Sequence, residues 1–153
     1  MWFQISSSKS GYILPLFLYG KKKHEICSKA TKTCKLIKKF KDSSSCKKCI
    51  SKFVLLKPSG RHGTYVGPTN TRLRALLPLR VEGSAGVTVG GQKSSFQTGK
   101  LVVLDDSFEN SFWSESEEDV LLLSVDFHHP DLSDREKKSD SFTEFVQNKF
   151  ITH

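Results

Sequence analysis

A chain of 153 residues, 37% hydrophobic and 26% charged, is long enough for one core and too apolar for wholesale disorder. Its net charge of +8 is unevenly spread: up to Lys57 fourteen Lys and Arg stand against Glu25 and Asp42, whereas the remainder holds ten against fourteen acids. No segment approaches the roughly 18 consecutive apolar residues that a membrane-spanning helix needs.

Residues 1–23 read as a poorly defined N-terminal segment. Ile13–Tyr19 is apolar but short and contains Pro15. It is followed by Lys21–Lys23 rather than a small-residue cleavage site, so it makes a poor signal peptide. The expectation is that any targeting segment or membrane anchor lies outside this chain.

Cys27, Cys34, Cys46 and Cys49 fall in the basic stretch that follows. Cys46-Lys-Lys-Cys49 has the spacing of half a zinc site or of a redox pair. The wider gap between Cys27 and Cys34 does not supply the other half of a zinc ribbon, which favours disulfides or buried thiols. Thr31–Lys41 has apolar residues at 34, 36, 37 and 40, the period of a short amphipathic helix with a lysine-rich outer face. Polar Asp42–Ser45 breaks it. A basic stretch of this kind suits nucleic acid or an anionic membrane surface, but a solvated face is the simpler reading. Only Phe40 and Phe53 interleave it for base stacking, so nucleic acid is not expected as a partner.

From Phe53 the pattern changes to strands. Phe53–Leu56 ends at Pro58-Ser59-Gly60, and Arg72–Val81 begins with strict alternation, with Pro78 marking a bulge or an edge. Gly86–Val89, Leu101–Leu104 and a strand beginning in Phe108–Trp113 follow, punctuated by Gly90-Gly91, Gly99 and Asp105-Asp106. Val120–Phe127 is nearly continuous in apolar residues, as in a strand buried on both faces. Ser133–Asn148 reads as a charged C-terminal helix on the surface. The chain is thus mainly β, and many short strands with Gly and Pro turns imply a sandwich or closed barrel.

Three strings carry a specific resemblance: Gly67-Pro68-Thr69-Asn70-Thr71-Arg72-Leu73-Arg74, Asp105-Asp106-Ser107-Phe108-Glu109 and Asp126-Phe127-His128-His129-Pro130. Together, in this order, they resemble the aspartyl/asparaginyl β-hydroxylases. These are Fe(II)- and 2-oxoglutarate-dependent dioxygenases with a double-stranded β-helix (jelly-roll) core, which act on Asp or Asn of epidermal-growth-factor-like domains in the endoplasmic reticulum. The resemblance covers residues 24–135, with 136–153 as a helix or tail, and it suggests a truncated member. It implies a jelly roll with short N-terminal and C-terminal helices, and a disulfide between Cys27 and Cys34.

The resemblance also says where the chemistry should be. The family's two iron-binding histidines fall on Tyr65 and Asn110. A phenol and a neutral amide are poor substitutes for imidazole on Fe(II). The family's 2-oxoglutarate positions fall on Val54, Arg74, Leu76 and Val120, of which Arg74 alone is kept. Arg72 falls where the family faces its peptide substrate. No intact catalytic set and no bound cofactor are therefore expected in this chain. Val54, Leu76 and Val120 should point into the barrel and fill it. His62, three residues before Tyr65, would lie on the opposite face if the strand ran through it. If Tyr65, Leu76, Asn110 and Val120 converge, the site is dead; if His62 converges there instead, the register is different.

Three functional readings follow. The first is an inactive pseudo-dioxygenase that still binds a peptide or an epidermal-growth-factor-like domain. The second is an active β-hydroxylase with displaced metal ligands. The third is a basic module for nucleic acid or a membrane surface.

Overall fold

The computed structural model describes residues 2–4, 10–58 and 62–139. The strands are β1 (Phe3–Gln4), β2 (Gly11–Leu18), β3 (Lys21–Lys22), β4 (Ile50–Leu56), β5 (Arg72–Arg80), β6 (Ala85–Val89), β7 (Gln92–Ser95), β8 (Val102–Leu104), β9 (Asn110–Ser114) and β10 (Val120–His128). The helices are α1 (His24–Cys27), α2 (Thr31–Lys39), α3 (Lys41–Ser44) and α4 (Asp134–Ser139). One sheet runs β1-β2-β4-β10-β5-β8, with β3 on β2, and a second runs β7-β6-β9.

β10 organises the larger sheet, because it pairs antiparallel with β4 on one side and β5 on the other. Its burial strictly alternates, which corrects the expectation of a strand buried on both faces. The even-numbered side chains enter the space between the two sheets. There Val120 and Leu122 meet Val54 and Leu56 of β4, Leu76 of β5, Leu104 of β8, and Ala85 and Val87 of β6. The odd-numbered side chains lie half-buried on the other face. Leu123 and Val125, with Phe53, pack on a second cluster of Leu16, Phe17, Cys27, Cys34 and Ile37. That second cluster explains the unbroken apolar run: a helical layer covers the outer face. Burying one leucine between the sheets contributes about 1.5–3 kcal/mol.

The helical layer is built from the basic stretch. α2 turns Cys34 and Ile37 inward, and leaves Lys32, Lys35, Leu36 and Lys39 exposed. A Cys27–Cys34 disulfide joins α1 to α2, and a second joins Cys46 to Cys49. Phe40 leaves the helical region and packs its ring 5.6 Å from that of Phe127. The polar stretch after it is not simply a break. It forms α3, where the Ser45 hydroxyl donates to the Lys41 carbonyl, and the Ser44 hydroxyl donates to the Lys38 carbonyl.

The segment read as poorly defined contributes β2, which pairs with β4 from Gly11 to Leu18. A register shift between Pro15 and Phe17 accommodates the proline. Pro78 likewise sits at an irregularity, where β5 slips against β10. α4 begins the expected C-terminal helix, and the rest of that expectation lies outside the described residues. Among the described residues no helix is long and apolar enough to cross a membrane.

Candidate functional site

The space between the sheets changes character along its length. Val54, Leu56, Leu76, Val120 and Leu122 make one end apolar. Two to four residues further along the same strand faces stand Lys52 on β4, Ser124 and Asp126 on β10, and Arg72 and Arg74 on β5. Asp106, from the turn after β8, joins them. Asp106 and Asp126 have no exposed surface.

The charges are paired across elements. Arg74 Nε lies 2.7 Å from Asp126 Oδ1, and its Nη2 lies 3.2 Å from Asp106 Oδ2. Arg72 Nη2 lies 2.9 Å from Asp106 Oδ2, and its Nη1 lies 3.2 Å from Asp126 Oδ2. Arg72 also donates to the Lys48 carbonyl, and the Ile50 amide donates to Asp126. Two guanidiniums and two carboxylates thus cancel, as buried charges must. Burial works against the charge on Arg74, but the attraction and hydrogen bonds of Asp126, with Asp106 and Tyr65, outweigh it and raise its pKa. Lys52 is the unbalanced charge. Burial, followed by Arg74 and Arg72, lowers its pKa to about 8 against the opposing pull of Asp126 and Asp106.

The two residues on which the resemblance places the iron ligands come together. Tyr65 and Asn110 form an isolated antiparallel bridge: the Tyr65 amide donates to the Asn110 carbonyl at 2.7 Å, and the Asn110 amide donates back at 2.8 Å. Asn110 Nδ2 then donates to the carbonyls of Phe108 (2.9 Å), Tyr65 (3.0 Å) and Asp106 (3.1 Å). Its amide is committed to holding the turn. The Tyr65 side chain is about half exposed at the rim. These residues do not fit iron, since one offers a neutral amide oxygen and the other a neutral phenol in place of imidazole. Among the described residues no three His, Cys, Asp or Glu side chains gather into a set that could hold a metal ion.

A cavity of about 410 Å³ opens above this polar end, lined among others by Lys52, His62, Tyr65, Arg74, Asn110 and Ser124. The opposite-face expectation for His62 needs correction here, and the convergence test divides. Leu76 and Val120 do not converge with Tyr65 and Asn110; they lie deeper in the apolar end, while Val54 reaches both. His62 lines the same cavity, because residues 62–64 are not strand and two-residue alternation does not apply to them. Its ring nitrogens have no partner, burial lowers its pKa, and its ring meets Phe112 edge-on at 6.4 Å. Arg72 is 2% exposed, and its charge is taken by Asp106 and Asp126.

Lys52 and Ser124 were missed in sequence. Both were legible as alternation partners, Lys52 two residues before Val54 and Ser124 two after Leu122, had β4 been started at Ile50. Asp106 and Asp126 were seen as motif letters and not as counter-ions.

The family model described as Aspartyl/Asparaginyl beta-hydroxylase matches residues 3–130. The aspartyl/asparaginyl beta-hydroxylases of Mus musculus and Homo sapiens are each 30% identical over 125 residues, 81% of this chain. The chain spans only 17% and 16% of their lengths. Aspartate beta-hydroxylase domain-containing protein 2 of Rattus norvegicus is 33% identical over 97 residues, 61% of this chain and 27% of that protein. Among solved structures, the cupin domain of a transcriptional regulator from Enterobacter cloacae matches with a TM-score of 0.53 at 12% identity, over 79% of this chain and 98% of that one. A predicted oxalate decarboxylase from Thermotoga maritima matches with a TM-score of 0.53 at 13% identity, over 84% and 93%. At such identities the likeness speaks for the fold alone, and the fold is the expected double-stranded β-helix.

Proposed function

Given that this chain belongs to the aspartyl/asparaginyl β-hydroxylase family, we propose that it keeps the family's fold and ligand cavity without the family's oxidation. It acts as a binding domain for an acidic peptide. The observation that carries this reading is the Tyr65–Asn110 bridge, in which a side-chain amide tied to three carbonyls stands at one metal position. Held in place by its Nδ2, this amide offers a metal only its neutral carbonyl oxygen, a poor replacement for imidazole.

The surplus charge of Lys52 supplies the recognition. A carboxylate entering the cavity would neutralise it, and the cost of desolvating an ammonium ion falls when an anion replaces water. His62 gives the competing reading, an oxygenase with a displaced ligand, its one supporting observation. One imidazole is a single ligand, and Fe(II) sites of this type require more.

The test is direct. The whole chain is incubated with Fe(II), 2-oxoglutarate and an Asp-containing disulfide-closed peptide, and succinate and peptide mass are followed. We expect no succinate above the protein-free control, and peptide binding that weakens when Lys52 is replaced by Met. Succinate formed in proportion to enzyme and abolished by a chelator would overturn the proposal. So would failure of any acidic peptide to bind.

A further inference from the structure

The cavity holds an amine in a setting unlike that of any exposed lysine. Lys52 lies on the inward face of β4, between Pro15 of β2 and Ser124 of β10 in the register of the sheet. Neither flanking residue carries charge. The charged and titratable groups around it are Arg72 and Arg74 from β5, Asp126 from β10 and Asp106 from the turn after β8. His62 and Tyr65 line the same cavity. Ser124 is 1% exposed, lines that cavity, and its hydroxyl has no hydrogen-bond partner.

We propose that Lys52 is a carbonyl-reactive amine, which captures a small aldehyde or ketone bearing a carboxylate as an imine inside this cavity. This rests on the cavity described above and not on the loss of iron.

The chemistry balances without an oxidant. The lone pair of neutral Nζ attacks the carbonyl carbon while the C=O π pair moves to oxygen, which takes up a proton. The resulting carbinolamine loses its hydroxyl as water and the nitrogen its remaining proton, leaving an imine; amine and carbonyl give imine and water. An amine placed among cations in a desolvated site is the known route to such reactivity, because a larger share of it is neutral near physiological pH. Lys52 at about pKa 8, against 10.5 for an ordinary lysine, is about two orders of magnitude richer in free amine at neutral pH. The unpartnered Ser124 hydroxyl is placed to donate to the carbonyl or carbinolamine oxygen.

Charge selects the carboxylate. With Lys52 neutral, Arg72, Arg74, Asp106 and Asp126 sum to zero. A protonated imine restores one positive charge, and a carboxylate on the same ligand cancels it. An uncharged aldehyde leaves the charge uncompensated in a partly desolvated site.

The experiment uses the whole chain with glyoxylate as probe and cyanoborohydride, which donates hydride to the iminium carbon and fixes it as a stable secondary amine. Peptide mapping then locates the modification. At pH 7 we expect Lys52 to be labelled at least tenfold faster than exposed Lys32 and Lys39, with the ratio shrinking by pH 10 as all amines lose protons. Propanal should show a smaller preference. Ser124→Ala should slow labelling of Lys52 and leave Lys32 unchanged, and Lys52→Arg should abolish the fast phase while keeping the charge. Uniform labelling of all lysines, or an unlabelled Lys52, would overturn the proposal. Either result leaves the peptide-binding and succinate measurements standing on their own.

Discussion

Arg74 and Asp126 face each other in register across β5 and β10, with Nε 2.7 Å from Oδ1 and Nη2 3.1 Å from Oδ2. The contact is bidentate and buried, and Asp126 also accepts from the Ile50 amide, so one carboxylate fixes three strands.

Replacing that carboxylate should be severe. Asp126→Asn leaves two buried guanidiniums sharing Asp106 and is expected to cost about 3–5 kcal/mol. Asp119→Asn, which breaks the half-exposed Lys57–Asp119 pair, should cost less than about 1 kcal/mol. Denaturant midpoints of the two variants at equal slope check the contrast.

Gly67 of the Gly-Pro-Thr-Asn string is held by space. A Cβ added there would lie 2.5 Å from the Asp106 carboxyl carbon. Gly67→Ala must therefore push Asp106 away from Arg72 and Arg74. A loss on the order of 1–3 kcal/mol is expected, and it should largely vanish in an Asp106→Ala background, where the obstacle is absent. Thermal melting of the four proteins of that cycle measures it.

Asn110→His tests whether a metal site can be built at this bridge. The three carbonyls served by Asn110 Nδ2 lose their donor, which should cost about 1–3 kcal/mol. Directly opposed residues of an antiparallel bridge hold their Cβ atoms about 5 Å apart on one side of the sheet, a fit for two ligands. Tyr65→His with Asn110→His should therefore bind Co(II) or Fe(II) measurably, and neither single variant should. Calorimetric titration with Co(II) distinguishes these outcomes.

Lys52 makes stability depend on pH. Its folded pKa of about 8 lies below the unfolded value of 10.5. Between these values the unfolded chain holds a proton that the folded chain has released, so this residue makes stability rise with pH across that window. Below pH 8 both states are protonated and the penalty is complete. Lys52→Met should stabilise the protein by about 1–3 kcal/mol at pH 7, with the gain fading as pH approaches 10.5. Urea titrations at pH 7 and pH 10 measure the difference.

The apolar half of the interior was readable in the sequence because strand alternation sends Val54, Leu76 and Val120 to the same place, and all three are buried. β7 was not readable: its four residues are all exposed and carry no hydrophobic pattern. β2 was hidden by Pro15, since a register shift that tolerates proline leaves no mark in a single sequence. The position of His62 needed the path of a segment without regular structure. The pairing of Arg72 with Asp106 and Asp126 joins residues 34 and 54 positions apart, a distance that no local pattern spans.

The change from apolar to charged side chains along one interior has a consequence for how such a chain diverges. The apolar core rests on Leu56, Leu76, Val120 and Leu122, whereas the recognition proposed above rests on Lys52, further along the same strands. Substitutions at Leu56 or Val120, four residues along their strands from Lys52 and Ser124, need not be felt there, because changes that far apart add without coupling. Inheritance can then discard a chemistry and keep its container, and the container stays free to be filled again.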